Sequence, residues 1–274
     1  MPKASVGGDE IYYEIYGEGE PVIFISGLGS DHTLWHWQVA EYSKEFQCIF
    51  FDNRGVGEST ISPHYLNEDR LTMELLSEDV AGLMEQLEIE KAHIVGASMG
   101  GIIAQYFALA HPEKVITLSL HSTLAKSSPL VNMHFKTQID LLQRLSMGEL
   151  LISLAPVIWA EETLTSRLDL LKEFRSLKKD SVLPISKALY ILQAHSCLYF
   201  DLLSQISKID IPVLVTAGAE DILIHPRNSI LIHHTITGSK YIEFEGCGHA
   251  ALMEKHKEFN LRTMDFIRKR RKIK

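Results

Sequence analysis

The sequence predicts an α/β fold with a mostly parallel central sheet, flanking helices and an inserted helical lid. Short, wholly apolar runs typical of buried strands alternate with segments of helical periodicity, which is the pattern of βαβ crossovers. The alternation stops at about residue 122, and the pattern is then helical until about residue 208. We therefore predict a core domain made of residues 1–121 and 209–274, into which residues 122–208 are inserted as a lid.

The first elements are a hairpin and two buried strands. Runs rich in strand formers lie at 4–6, 11–16, 21–25 and 48–51. Gly7-Gly8-Asp9 predicts a tight turn between the first two runs, and a helix over 34–42 separates the last two. Thr72 is placed to cap the next helix, whose apolar positions have helical spacing: Leu75, Leu76, Val80, Leu83, Met84 and Leu87.

The same alternation continues beyond this helix, on both sides of the lid. Predicted strands lie at 93–95, 115–120, 211–218 and 241–244, with a helix over 102–110 after the first of them. Four leucine-rich segments predict short helices in the lid: two around Leu141, Leu142, Leu145, Leu150, Leu151 and Leu154, a third over Leu168, Leu170, Leu171 and Phe174, and a fourth over 185–192.

Composition narrows the class of protein. The chain has 274 residues, 46% of them hydrophobic and 23% charged, which is ordinary globular material. A net charge of -8 argues against a nucleic-acid partner. Cys48, Cys197 and Cys247 lack metal-like spacing and fit a reducing compartment. No apolar run resembles a signal peptide or approaches the roughly 20 residues of a membrane span, so we expect a cytoplasmic protein without membrane insertion. A homo-oligomer is left open.

The most informative motif is Gly96-Ala97-Ser98-Met99-Gly100, which lies between a predicted strand and a predicted helix. A serine between two glycines at such a junction is typical of a nucleophile elbow, where a tight turn holds the hydroxyl clear of the sheet. The flanking positions must be small because strand and helix approach closely there. Ser98 is therefore the predicted nucleophile.

An activated serine needs a base within hydrogen-bond reach and a carboxylate that orients the base. His249 follows the last predicted strand in Gly246-Cys247-Gly248-His249, and Asp221 follows a buried strand in Gly218-Ala219-Glu220-Asp221. These strand-end positions distinguish them from the other histidines and acids. We predict a triad of Ser98, Asp221 and His249, with Glu220 as a rival carboxylate that we interpret as a solvated loop acid.

Two backbone N–H groups are predicted to stabilise the oxyanion that forms when Ser98 attacks. One belongs to Met99, directly after the nucleophile, and the other to Leu28 in the loop Ser26-Gly27-Leu28-Gly29. A second glycine-rich turn, Asp52 to Ser59, lacks the features of a P-loop or a dinucleotide fingerprint. We interpret Asp52 and Arg54 as structural residues that hold this turn beside the oxyanion loop.

On these motifs the chain resembles the lidded α/β-hydrolases, a group that includes carboxylesterases, 3-oxoadipate enol-lactonases, cofactor-free haloperoxidases and prolyl aminopeptidases. The residues that carry the resemblance are Ser-Gly-Leu-Gly at 26–29, Asp-Asn-Arg-Gly-Val-Gly-Glu-Ser at 52–59, Gly-Ala-Ser-Met-Gly-Gly at 96–101, Gly-Ala-Glu-Asp at 218–221 and Gly-Cys-Gly-His at 246–249. Two positions depart from the family pattern. Ser26 and Ala97 each stand where that group usually has histidine, and we expect the first change to loosen hydrogen bonding around the oxyanion loop.

A serine nucleophile disfavours the alkyl-enzyme route of haloalkane dehalogenases and epoxide hydrolases, which need a carboxylate. The predicted function is hydrolysis of a small-to-medium carboxylic ester or lactone through an acyl-enzyme on Ser98, a reaction that requires no metal and no cofactor. Perhydrolysis, cleavage by an aminopeptidase and C–C bond hydrolysis on the same triad remain open, as does receptor-like ligand binding with little turnover.

Gly27, Leu28, Trp159 and Ile222 are the predicted substrate-binding residues. Apolar lid residues suggest the roof of a pocket, although packing in the core is the alternative role for each: Met133, Phe135, Met147, Trp159, Tyr190, Tyr199 and Phe200. The candidates for binding a charged substrate are Arg144, Arg167 and Arg175 for a dicarboxylate, and Glu161 and Glu162 for an amine.

The chain ends in a basic run from Arg268 to Lys272. We interpret it as a solvated helix end whose cations suit the helix macrodipole, in preference to a surface for anionic lipid or nucleic acid.

Overall fold

The computed structural model describes residues 2–66, 71–172 and 185–270. These residues form an eight-stranded sheet in the order β1-β2-β4-β3-β5-β6-β7-β8. The strands are β1 (Lys3–Val6), β2 (Asp9–Tyr16), β3 (Glu20–Ile25), β4 (Phe46–Phe51), β5 (Ala92–Ala97), β6 (Val115–His121), β7 (Val213–Gly218) and β8 (Lys240–Phe244).

Only β2 runs against the rest of the sheet. The β1–β2 hairpin turns at Gly7 and Gly8, whose φ angles of +57° and +86° favour glycine. β2 is also antiparallel to β4, whereas the pairs from β4 through β3 and β5 to β8 are parallel. The prediction of a mostly parallel α/β sheet is confirmed.

The α-helices of the described residues cover both faces of the sheet. They are α1 (His36–Tyr42), α2 (Met73–Gln86), α3 (Met99–Ala110), α4 (Pro129–Leu142), α5 (Met147–Ser153), α6 (Ala155–Ile158), α7 (Glu161–Ser166), α8 (Lys187–Ser196), α9 (Arg227–Thr235), α10 (Ala251–Glu254) and α11 (His256–Arg268). Residues 168–172 are also helical. Short 3-10 helices lie at His32–Trp35, Pro63–Tyr65, Pro112–Lys114 and Ile206–Lys208.

Alternation of side chains along β3 separates two apolar cores. Ile23 and Ile25 belong to a core that includes α2, α3 and the lid helices α4 and α8, whereas Val22 and Phe24 belong to a core that includes α1 and α11. Because all four side chains have no exposed surface, the strand is buried on both faces. This explains why it reads as a continuous apolar run in the sequence.

Between β6 and β7 most of the described residues are helical, with short turns between the helices, and the two ends of the insertion meet. Lys126 and Asp201 form an isolated antiparallel bridge there, and their side chains form an ion pair of 2.6 Å. The boundaries of the lid at residues 122 and 208 stay a prediction. Of the third predicted lid helix, residues 168–172 are helical and Phe174 lies outside the described residues.

Several predicted element boundaries need correction. The helix predicted over 34–42 starts with the 3-10 turn His32–Trp35 before α1, because Asp31 accepts the N–H of Thr33 and caps that turn. The helix predicted from Ile102 begins three residues earlier, directly after Ser98. Strand β7 begins at Val213, after Pro212, which has no N–H to donate. Helix α9 was not predicted.

Two cations of the C-terminal basic run, Arg268 and Lys269, pair with acids. The guanidinium of Arg268 donates to both carboxylate oxygens of Glu45, at 3.0 and 2.5 Å. Lys269 donates to Asp265 at 2.5 Å on the same helix. These pairs agree with a solvated helix end; residues 271–272 of the run lie outside the described residues.

Candidate active site

Ser98 lies at the sharp turn between β5 and α3. Its φ of +55° and ψ of -120° lie outside the regions that L-residues favour, so the turn stores backbone strain. Close packing makes the flanking glycines necessary: a Cβ on Gly96 would lie 2.3 Å from the carbonyl oxygen of Gly100, and one on Gly100 would lie 2.1 Å from that of Ile25. The N–H of Ser98 donates to the carbonyl of His121 at 2.9 Å and fixes the turn to β6.

Asp221 and His249 lie at the carboxyl ends of β7 and β8 and are in contact. His249 Nδ1 lies 2.8 Å from Asp221 Oδ2. The carboxylate is 1% exposed, and its other oxygen accepts the N–H groups of Leu223 at 3.0 Å and Ile224 at 2.8 Å. Because a carboxylate only accepts, His249 carries its proton on Nδ1, which leaves Nε2 available as a base. Glu220, the rival acid, is exposed.

Both predicted oxyanion donors are free to bind an oxyanion. Within the described residues, neither the N–H of Leu28 nor that of Met99 has an acceptor. The loop that carries Leu28 lies against the nucleophile, since a Cβ on Gly27 would be 3.2 Å from the Cβ of Ser98. Met99 occupies the first position of α3, where helix N–H groups lack intrahelical acceptors. The geometry therefore offers two unpaired donors close to Ser98.

Ser26 does not loosen this loop, contrary to expectation. Its hydroxyl accepts the indole N–H of Trp35 at 3.1 Å and donates to the carbonyl of Asp31 at 3.0 Å. Its own carbonyl accepts the amide N–H of Asn53 at 3.0 Å, so the second glycine-rich turn holds the oxyanion loop directly. The smaller hydroxyl thus makes the contacts that keep the loop in place.

Asp52 and Arg54 are structural, as interpreted, but they act at different places. Asp52 is fully buried and accepts the backbone N–H of His32 at 2.7 Å and that of Glu58 at 2.9 Å. Arg54 instead pairs with Asp9 and Asp79, which ties the turn to β2 and α2. Asn53 therefore holds the oxyanion loop itself, and Asp52 holds the segment that follows it.

Ser98 and His249 line one cavity beneath the lid, together with the predicted residues Gly27, Leu28 and Trp159. Other apolar side chains complete its wall: Leu34, Phe135, Leu151, Leu154, Ile158, Leu223, Leu252 and Met253. Within the described ranges no Asp, Glu, Lys or Arg lines it. The cavity is thus an uncharged, largely apolar space beside the candidate nucleophile.

Several predicted substrate residues lie elsewhere. Ile222 is 62% exposed and does not line the cavity; its neighbour Leu223 does, because the Asp221 carboxylate turns the chain back on itself by accepting the N–H groups two and three residues ahead. Met133 and Tyr199 are more than 60% exposed. The cavity wall also lacks the remaining candidates that fall in the described residues: Met147, Phe200, Arg144, Arg167, Glu161 and Glu162. Arg175 lies outside the described residues.

A polar lid residue that was not predicted, Gln138, also reaches the site, beside Tyr190 of the predicted pocket roof. Gln138 and Tyr190 line the cavity, and the phenol donates to the amide oxygen of Gln138 at 2.5 Å. Gln138 lies three residues after Phe135 on the buried stripe of α4, and a polar residue in an apolar stripe was the available signal. On the same helix, burial and the proximity of His249 lower the pKa of His134, which keeps that imidazole neutral.

These features define a class of protein: an α/β enzyme whose candidate site lies at the carboxyl ends of parallel strands. The family model described as the alpha/beta hydrolase fold matches residues 20–256, and the chain belongs to this family. Among solved structures, the enol-lactonase from Burkholderia xenovorans LB400 superposes with a TM-score of 0.86 at 27% identity, covering 97% of this chain and 99% of that one.

Two further relatives have similar coverage. A thermophilic esterase from Thermogutta terrifontis, solved with malate bound, has a TM-score of 0.86 at 25% identity, with 99% of each chain covered. A protein of Azorhizobium caulinodans named "Putative carbamate hydrolase RutD" is 26% identical over 91% of this chain and 92% of its own length. The family and these relatives support hydrolase activity. No helix in the described residues is long and apolar enough to cross a membrane.

Proposed function

We propose that this protein is a serine hydrolase that cleaves a small, uncharged carboxylic ester or lactone through an acyl-enzyme on Ser98. The observation that carries the proposal is the His249–Asp221 hydrogen bond of 2.8 Å at the wall of the cavity that Ser98 also lines. The names of the relatives, an enol-lactonase and an esterase, support the same class of reaction.

In the proposed mechanism, the hydroxyl of Ser98 attacks the substrate carbonyl while His249 Nε2 takes its proton. The N–H groups of Leu28 and Met99 stabilise the oxyanion, and Asp221 stabilises the imidazolium. Collapse of the intermediate breaks the ester C–O bond, and His249 returns the proton to the leaving alkoxide. Water, deprotonated by the same imidazole, then attacks the acyl-enzyme and releases the carboxylic acid with Ser98 restored.

The residues that line the cavity favour a neutral substrate. No cation among the described residues lines it, so a carboxylate on the substrate would be buried without a partner. Its volume of about 120 Å³ is small beside the roughly 300–1,000 Å³ of common ligand pockets, which favours a short acyl group. The phenol–amide pair of Tyr190 and Gln138 adds neutral polar groups to this lining.

A carbamate is the second candidate substrate, because a relative with matched length carries that name and because a carbamate presents the same carbonyl to Ser98. An aminopeptidase activity receives no support, since Glu161 and Glu162 are exposed and do not line the cavity. Perhydrolysis shares the acyl-enzyme and would be detected as peracid formed from a carboxylic acid and added peroxide.

The test is turnover of p-nitrophenyl acetate and butyrate by the wild-type protein, by Ser98→Ala and by Ser207→Ala, an exposed serine as matched control. We expect Ser98→Ala to lose several orders of magnitude in kcat and Ser207→Ala to retain the wild-type rate. A fluorophosphonate should label Ser98 alone, located by mass mapping. Equal rates in wild type and Ser98→Ala would refute the mechanism, and a carbamate ester in the same panel tests the second candidate.

We also propose a reducing, cytoplasmic compartment. Cys48, Cys197 and Cys247 are free and buried in the structure, which supports this location. Retention of activity after expression in a reducing cytoplasm, without oxidative refolding, is the expected result.

A further inference from the structure

Lid helix α8 packs directly on the oxyanion loop. Gly29 has a φ of +67°, and a Cβ at this position would lie 2.8 Å from the ring carbon Cε2 of Tyr190. The same helix packs on the second glycine-rich turn, because a Cβ on Gly55 would lie 2.6 Å from Cδ2 of Leu189. The two glycines therefore let one face of α8 approach both loops to van der Waals contact.

Gln193, one turn along α8 from Tyr190, makes the polar contact of this interface. Its side chain has no exposed surface, and its Oε1 accepts the backbone N–H of Gly29 at 3.1 Å. The side-chain oxygen must face Gly29 because only an acceptor can pair with an N–H. In the described residues the Nε2 group of Gln193 has no hydrogen-bond partner, so the Gly29 contact is the one that the buried amide makes.

Two N–H groups that follow Leu28 are paired, whereas that of Leu28 itself is not. The N–H of Ser30 donates to the carbonyl of Gly27 at 3.1 Å, and that of Gly29 donates to Gln193. The amide of Leu28, the predicted oxyanion donor, has no acceptor in the described part of the chain. Because the Gly29 N–H belongs to the peptide plane that joins it to Leu28, a bond that fixes this plane also restricts the backbone of Leu28.

We propose that Gln193 is a positioning residue for the oxyanion hole: from the lid, through Gly29, it aims the N–H of Leu28 at the oxyanion. The inference rests on the proposed function of Ser98. It makes α8 part of the catalytic framework, in addition to its role as pocket roof. Gln193 does not touch the reacting atoms, and its effect is on the transition state, in which the oxyanion exists.

The test uses Gln193→Met, which keeps the length of the side chain but cannot accept the bond, and Gln193→Leu, a second uncharged variant without an acceptor. Gln143→Met, an exposed lid position, is the matched control. Removal of an oxyanion donor costs roughly 10²–10³-fold in kcat, and for a donor left in place but misaligned we expect a loss of about ten- to thirtyfold. The KM for p-nitrophenyl butyrate should stay within about twofold, because ground-state binding does not use the oxyanion hole.

A boronic acid that adds to Ser98 reports on the oxyanion hole separately. Its affinity for Gln193→Met should fall in parallel with kcat, since such a tetrahedral adduct resembles the transition state. Gln193→Leu should behave like Gln193→Met, and Gln143→Met should match wild type. An unchanged kcat in folded Gln193→Met, or a lower kcat with unchanged boronate affinity, would overturn the inference.

Two further results distinguish a failure of this inference from a variant that does not fold and from a failure of the proposed function. If Gln193→Met does not fold, Gln193→Leu decides by the same measurements: a parallel loss of kcat and boronate affinity supports the role of the accepting oxygen, and a wild-type kcat in the folded protein overturns it. If the wild-type protein hydrolyses no ester, or Ser98→Ala remains active, the proposed function fails first, and with it the inference that rests on it.

Discussion

The carboxylate of Glu254 accepts the backbone N–H of Gly248 at 2.7 Å, one residue before His249. Its second oxygen accepts the N–H of Ala160 at 3.0 Å and the hydroxyl of Thr163 at 2.5 Å, both between β6 and β7. The side chain of Glu254 is buried, and burial raises its pKa even though these three hydrogen bonds act in the opposite direction. Glu254 therefore joins the loop of the candidate base to the lid.

Glu254→Gln should destabilise the protein and slow it. The amide nitrogen must replace one accepting oxygen, so at least one of the three donors faces another donor inside the protein. An unsatisfied buried group costs about 1–3 kcal/mol in the free energy of unfolding, and a displaced His249 loop should lower kcat as well. Urea denaturation and ester kinetics measure the two effects. The control is Glu258→Gln, which breaks an exposed pair with Arg262 and should change the free energy of unfolding by less than about 1 kcal/mol. Equal losses of stability in the two variants would contradict the role of Glu254 as a link between the His249 loop and the lid.

Asp221→Asn should keep the fold and lose activity. The remaining oxygen can still accept the N–H groups of Leu223 and Ile224, but the new NH₂ group faces His249 Nδ1 and favours the wrong tautomer. From serine hydrolases with the same arrangement we expect a loss of about 10⁴-fold in kcat. Glu220→Gln changes the neighbouring exposed acid and should leave kcat unchanged. The assignment of the carboxylate would be wrong if the two variants exchanged these effects.

A charge on the acyl group should abolish productive binding. p-Nitrophenyl hemisuccinate has a similar length to p-nitrophenyl butyrate but ends in a carboxylate, and no cation among the described residues lines the cavity. Because an unpaired buried charge costs several kcal/mol, we expect kcat/KM to fall by at least about 100-fold. Comparable values for the two esters would show that a cation reaches the bound substrate.

His32 should make stability depend on pH near neutrality. Burial lowers the pKa of His32, but the hydrogen bond to Asp52 and the charges of Asp52, Glu14 and Asp31 outweigh it, so the pKa is raised. A raised histidine pKa adds stability that is fully present below the unfolded value of about 6.5 and is lost as pH rises through the folded value. The difference in Tm between wild type and His32→Asn should therefore shrink from pH 6 to pH 9. The exposed His234→Asn should show no such trend; a difference that grows with pH would have the wrong sign.

Local sequence signals predicted much of the fold. Thr72 was assigned as a helix cap from its place before an apolar stripe, and its hydroxyl accepts the N–H of Leu75 at 3.2 Å. The apolar runs that became β3 to β7 are buried on both faces of the sheet. Helix α9 was missed because its stripe is weak: Ser229 and Ile232 are its buried residues, and histidines occupy its last turn.

Contacts between distant side chains were harder to predict than helices and strands. Nothing in the sequence distinguishes Gln193 from other lid glutamines, and its partner Gly29 is 164 residues away. Ile222 and Leu223 are adjacent apolar residues, and the choice between them depends on how the chain turns at Asp221. Glu254 lies in a segment that could equally have been a solvated helix start.

By itself the sequence determined the order of the strands and of most helices, the glycine-flanked turns and the residue types able to activate a hydroxyl, because these depend on periodicity and on steric limits within a few neighbours. The tertiary structure alone decided that His249 meets Asp221 and not Glu220, that Leu223 reaches the cavity while Ile222 faces solvent, and that the lid holds the oxyanion loop through Gln193. Those outcomes depend on how distant strand ends and helices pack, and no local pattern encodes a distance between residues far apart in the chain.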